Sequence, residues 1–220
     1  MDGTKSMLWL LCVVALGSIV TADAAEKKGS TGQEKEGVMG KTLNGKKILL
    51  IVAPEKFRDE EYQVPYDYFT SHGAHVTVAS TKKGTATGMF GTKAEAMKTI
   101  AEVKASDYDA VVFVGGAGVP IVRADVKAIA LAKEAKDRPV LAAICWAPTI
   151  LAKAGILVGK KATVWKGDDA EYGTTTDKVL QKHGAFFTGD EVTVDGNIIT
   201  ANGPNAAQKF AEAIEKQLLK

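Results

Sequence analysis

Short apolar runs alternate along the chain with longer stretches of helical periodicity. Ile48–Ala53 (ILLIVA) is continuously apolar behind two lysines, the pattern of a strand buried on both faces. His75–Ser80 (HVTVAS), Ala110–Val114 (AVVFV) and Val140–Ile144 (VLAAI) read as further strands. Tyr62–His72 is expected to form a helix with Pro65 in its first turn, closing at Gly73. Asp125–Lys136 is expected as a helix capped by Asp125, and Ala147–Ala154 as a short one stopped by Gly155. Asn205–Leu219 should be amphipathic, with Ala207, Phe210, Ile214 and Leu218 on one face. In VTVDGNIIT (Val192–Thr200) the Asp-Gly pair signals a tight hairpin. This alternation predicts an α/β fold, a mostly parallel sheet layered between helices. Sheets of that kind carry their chemistry at the carboxyl ends of the strands. Three such ends stand out: the loop after Ala53, Gly115-Gly116 after Val114, and Cys145 after Ile144.

The first residues break the pattern. Lys5 precedes an apolar stretch from Met7 to Val20 that is short for a bilayer span, and Thr-Ala-Asp-Ala-Ala follows. Residues 1–24 are therefore expected to be a secretory signal peptide, with an uncleaved anchor as the alternative. Cleavage near Ala24 would place the chain outside the cytoplasm, periplasmic or secreted, with no membrane attachment left. Residues 25–45 are polar and rich in Gly, Lys and Glu, and are expected to be a flexible tether. Residues 46–220 are the expected folded domain. Of the two cysteines, Cys12 would leave with the signal, so Cys145 would be the one thiol of the mature chain. An unpaired thiol in an oxidising compartment is either buried and inert or kept for its reactivity.

The composition is that of a globular domain: 220 residues, 46% hydrophobic and 25% charged, enough chain to bury a full core. A net charge of +2 with interspersed signs gives no basic stripe for nucleic acid. Gly115-Gly-Ala-Gly118 lacks the spacing of a dinucleotide fingerprint, and GILVGKK (Gly155–Lys161) lacks the length and hydroxyl of a P-loop. His72, His75 and His183 are not at metal-ligand spacing with Cys or Glu, and each reads as a surface or strand-end residue. No metal and no cofactor are expected.

Cys145 sits where a strand hands over to a helix, the sharp corner at which α/β enzymes expose a nucleophile. Helix N–H groups nearby would lower its pKa; a buried structural cysteine is the competing reading. Gly116 could bring a backbone N–H up to a developing oxyanion, or simply turn the chain. Asp59-Glu60-Glu61 reads most simply as first-turn acids favourable to a helix dipole.

ILLIVAPEKFRDEEYQVPYDYF, VVFVGGAGVP, AAICWAPTILAKAGILVGKKATV and ITANGP, taken in order from about Lys46 to the C-terminus, resemble the ThiJ/PfpI family, or DJ-one superfamily. The resemblance implies a flavodoxin-like three-layer sandwich and a homodimer or larger assembly. It implies that Glu61 is the acidic partner of the elbow Cys145, and that Gly116 and the Trp146 backbone N–H form the oxyanion hole. Two anions at hydrogen-bond distance repel, so Glu61 is expected to keep its proton, with a raised pKa beside a lowered Cys145 pKa. The chain departs from the peptidase-like members in carrying Trp146 where they place a histidine after the cysteine. Trp165 fills a second position where other members have histidine. That weakens a peptidase or amidase reading, which needs a group to protonate the leaving amine. The resemblance implies instead a cofactor-independent enzyme of glyoxalase or deglycase kind, taking small-molecule carbonyl substrates through a Cys145 hemithioacetal. The alternative is a non-enzymatic redox or stress-response protein whose Cys145 oxidises to a sulfinate.

Overall fold

The computed structural model describes residues 42–220; the expected signal peptide and nearly all of the expected tether lie outside the described residues. In chain order the first half contains β1 (Lys47–Ile51), β2 (Glu55–Phe57), α1 (Asp59–Ser71), β3 (His75–Ser80), β4 (Gly84–Gly88), β5 (Lys93–Ala96), β6 (Lys98–Thr99) and β7 (Ala110–Phe113). Next come α2 (Val119–Ala124), α3 (Val126–Ala135), β8 (Val140–Ile144), α4 (Pro148–Lys153), β9 (Lys161–Ala162) and the β10–β11 hairpin (Asp168–Asp169, Thr174–Thr175). The chain closes with α5 (Thr176–Lys182), β12 (Phe186–Phe187), β13 (Val192–Asp195), β14 (Ile198–Ala201) and α6 (Ala207–Leu218).

The central sheet runs β13-β14-β8-β7-β1-β3-β6, and every pairing in it is parallel except β13 with β14. That antiparallel pair is the Asp-Gly hairpin, with Gly196 at φ 66. The continuous apolar runs have the burial their pattern implied. Along β1, Leu49 and Ile51 enter one core while Ile48 and Leu50 enter the other, the period-two alternation of a strand covered on both faces. The first core packs Leu131 of α3 and Ile150 of α4; the second packs Phe69 of α1 and Phe210, Ile214 and Leu218 of α6.

Several expectations shift. Helix α1 begins at Asp59 rather than Tyr62, because the three acids are favoured at a helix N-terminus, and Pro65 consequently sits in the second turn. The Asp125 side chain caps α3 by accepting from the Lys127 N–H at 2.8 Å. His72 is buried and stacks on Tyr68 with centroids 4.1 Å apart, so it is a packing residue and not a surface one. The folded part also begins before Lys46. Leu43 is fully buried and its N–H donates to the His72 carbonyl at 2.9 Å, so Thr42–Gly45 belong to the domain.

A second, small sheet escaped the apolar pattern. β2, β4 and β5 form it in the order β2-β4-β5, and the strands read EKF, GTATG and KAEA, with Phe57 as their one large apolar residue. Asp59 ties it to α1: its carboxylate accepts from the N–H groups of Phe90 (2.9 Å) and Thr92 (2.8 Å) in the β4–β5 turn. Those bonds hold the Asp59 carboxyl below its usual range despite burial.

Candidate active site

The three strand ends singled out by sequence converge. Cys145 follows β8 directly and adopts φ 62, a left-handed conformation that L residues rarely take and that costs about 1–3 kcal/mol. Two backbone bonds impose it. The Cys145 N–H donates to the Ala201 carbonyl at the end of β14, and the Cys145 carbonyl accepts from the Trp165 N–H, both at 2.8 Å. The turn throws the side chain off the sheet edge. Cys145 is 8% exposed, in a cavity of about 220 Å³ lined by Arg58, Met89, Ala117, Trp146, Trp165 and Pro204 together with Glu61 and Gly116. Larger concavities exist elsewhere, such as one of about 550 Å³ beside Lys133 and Lys160, but Cys145, the free cysteine of the described residues, lines the smaller one.

Glu61, in the first turn of α1, is fully buried against this thiol. Gly115 makes the approach possible: a Cβ there would stand 2.6 Å from the Cys145 Cβ and would collide with the Glu61 carboxyl. Neither Glu61 oxygen has a well-aligned hydrogen-bond partner. The Cys145 thiol and the Gly115 N–H are the groups that reach it. Desolvation by burial pushes the Glu61 carboxyl up to about 8, opposed by the thiol contact and by the charge of Arg58. Glu61 therefore holds a proton at neutral pH, the expected direction, but burial and not repulsion by a neighbouring thiolate is the cause.

The thiol does not follow its half of that expectation. Burial, then the charge and contact of Glu61, push the Cys145 pKa up and not down. The N–H groups of Gly116 and Trp146 pull the other way, because both are directed at the sulfur. Helix α4 offers little help, since it is only six residues long. The two groups titrate as a pair: one proton leaves near the Glu61 value, and the second stays far above it, because two adjacent anions in a dry pocket repel. Cys145 is thus a thiolate only while Glu61 remains neutral.

Gly116, at φ 106, threads where no side chain fits, since a Cβ would lie 2.6 Å from the Lys56 carbonyl oxygen. All four residues expected at the site (Cys145, Glu61, Gly116 and Trp146) are brought together, and Trp165 joins them.

Three features were not legible from spacing. Arg58 rims the pocket, its guanidinium paired with Glu60 (Nε–Oε2 2.7 Å) and stacked over Phe90 at 4.7 Å. The β4–β5 turn supplies Met89 to the lining. Behind the elbow, Arg123 of α2 is wholly buried, an arginine in an otherwise apolar turn. It binds Asp169 through both ends of its guanidinium at 2.5 and 2.9 Å, Glu171 at 2.7 Å and the Thr149 hydroxyl at 2.9 Å. Asp169 in turn accepts from the Trp146 indole N–H at 2.9 Å, and Thr149 donates to the Trp146 carbonyl at 2.8 Å. Trp146 is fixed at both ring and backbone, so its ring N–H is committed away from the thiol. The one sequence signal was Arg123 itself, an isolated cation among apolar neighbours, which must find buried acids when the helix packs.

The sequence profile of the DJ-1/PfpI family matches residues 46–217, nearly the whole of the described domain, and the chain belongs to that family. It is 43% identical over 180 residues to an uncharacterized protein of Methanocaldococcus jannaschii, covering 79% of this chain and 85% of that one. It is 35% identical over 162 residues to the deglycase PfpI of Pyrococcus furiosus, covering 72% and 90%. Among solved structures, a ThiJ/PfpI domain protein from Brachyspira murdochii superposes with a TM-score of 0.71 at 34% identity, covering 79% of this chain and 98% of its own.

Proposed function

We propose that the chain is a cofactor-independent cysteine enzyme acting on small reactive aldehydes, in the manner of a glyoxalase or deglycase. The observation that carries this reading is the Cys145 thiol held between a protonated Glu61 and the N–H groups of Gly116 and Trp146, in a small pocket. The Cys145 sulfur bonds to the aldehyde carbon while the carbonyl electron pair moves onto oxygen. Glu61 hands its proton to that oxygen and takes the thiol's, so no free ion need form in the dry pocket. The two N–H groups hold the developing oxyanion. With an α-oxoaldehyde, the hemithioacetal carbon then gives up its hydrogen as a proton and the adjacent carbonyl carbon gains one. The first carbon is oxidised and its neighbour reduced, with no external oxidant. Water hydrolyses the resulting thioester to a 2-hydroxy acid and frees the thiol.

The family relative named as a deglycase supports this class of reaction. An aldehyde is electrophilic enough to need no imidazole, whereas an amide needs its leaving nitrogen protonated. Indoles stand at both positions from which the resemblance would supply a histidine, and the Trp146 ring N–H is already engaged by Asp169. The test is methylglyoxal consumption with lactate formation by the reduced protein, beside Cys145→Ser and Glu61→Gln. Turnover lost in both variants supports the reading. No turnover, with a gain of two oxygens on Cys145 after peroxide that Glu61→Gln alters, replaces it with the redox reading.

A further inference from the structure

The reactive pocket is small, about 220 Å³, below the roughly 300–1,000 Å³ of sites that take drug-sized ligands. Beside it lies a second groove of about 540 Å³, lined by Phe187, Asn202 and Gly203 among others. Trp165 and Pro204 belong to the walls of both. Trp165 is held firmly through its backbone: its N–H donates to the Cys145 carbonyl at 2.8 Å and its carbonyl accepts from the Thr176 hydroxyl. The indole is held by shape alone. One part of the ring lies on Gly167, where any Cβ would collide with it, and Gly203 passes beneath it at the limit of contact. The other part faces Trp146, with centroids 5.9 Å apart and planes tilted by 44°. Some 40% of the residue is exposed.

We infer that the Trp165 indole is the partition that limits the reactive pocket to small carbonyls, and that the groove beyond it is a subsite for a larger, aryl-sized substituent once that partition is removed. Trp165 is a specificity-determining residue, because it and Pro204 are the residues that the Cys145 pocket shares with an adjoining space more than twice as large, and the indole is the larger of the two side chains. A carbonyl compound with a methyl substituent fits within the pocket. One with a phenyl substituent fills most of that space and brings its ring against the indole, so its fit depends on where that wall stands. The wall is built for this role: Gly167 and Gly203 leave room for an indole to lie flat, and the backbone bonds of Trp165 tie the wall to the nucleophile's own turn.

The substrate half of this inference rests on the aldehyde reading; the geometric half does not, and the experiment separates them. Wild type, Trp165→Ala and Trp165→Phe are compared in two assays. In the first, kcat/KM is measured for phenylglyoxal and methylglyoxal. In the second, the rate of Cys145 alkylation is measured for N-phenylmaleimide and iodoacetamide, a pair of thiol reagents that differ in size and need no turnover. Trp165→Ala should raise the large-to-small ratio about 10- to 100-fold in both assays, the range that one apolar wall contact discriminates, and Trp165→Phe should give an intermediate value. A ratio unchanged in the alkylation assay, in a variant that keeps the wild-type circular dichroism spectrum, overturns the partition. A ratio that shifts in alkylation while methylglyoxal is untouched by every variant supports the partition and overturns the aldehyde reading.

Discussion

Glu61→Gln should flatten the pH dependence of stability, and the size of the effect follows from the burial of one carboxyl. In the unfolded chain Glu61 loses its proton near 4.5; in the folded chain burial holds it to about 8. Between those values the folded state binds one proton more than the unfolded state, so stability falls as pH rises. The stabilising contribution is whole below about pH 4.5 and is lost as pH climbs through about 8. The difference of 3.5 units, from 4.5 to about 8, corresponds to about 5 kcal/mol at 1.36 kcal/mol per unit. A glutamine of the same shape has no proton to release, so it removes this slope. The carboxyls of Asp59, Glu60, Asp169 and Glu171 are all held below their usual range, and their contributions are lost on acidification below that window, with the opposite sign. Urea unfolding at half-unit intervals from pH 4.5 to 8 measures both proteins. The wild type should lose about 4 kcal/mol relative to Glu61→Gln across the range, the remainder falling just outside its two half-titrated ends. Parallel curves would refute the claim that Glu61 is protonated at neutral pH, and with it the proton shuttle.

Two further outcomes follow from the packing. Asp169→Ala strands the buried Arg123 with only Glu171 as its acid, and removing one partner of a buried pair costs about 3–5 kcal/mol; we expect the low end because Glu171 remains, together with a shift in Trp146 fluorescence as its indole loses its acceptor, read by denaturation and emission spectra. Gly115→Ala forces a methyl against the Cys145 Cβ and the Ile144 carbonyl, 2.6 and 2.7 Å away, and should slow iodoacetamide alkylation at least about tenfold while costing about 1–3 kcal/mol of stability through overpacking.

The layered architecture was legible because its parallel strands are buried on both faces, so Leu49, Leu50, Val111 and Val112 had to be apolar whichever way they pointed. The small β2-β4-β5 sheet was not, since Gly84–Gly88 and Lys93–Ala96 pair through backbone and through Asp59 with little apolar content. At the site, Cys145, Glu61, Gly116 and Trp146 were recognisable by family pattern and position, and they meet. The direction of the Cys145 pKa was misjudged because an N–H pair and a helix end can be read from sequence, whereas the depth of burial cannot. The Arg123–Asp169–Trp146 chain was invisible for a related reason: it joins positions 46 and 23 residues apart, and neither spacing is periodic.

The cancellation of charge in the pocket has a consequence for how molecules find it. Arg58 is matched by Glu60, and Cys145 and Glu61 rest as thiol and carboxylic acid. These four groups add no net charge at the mouth, so they contribute little to steering a charged ligand or to the dependence of its encounter on ionic strength. Selection among ligands is then left to the shape of the pocket, and above all to whether a molecule fits beside two indoles.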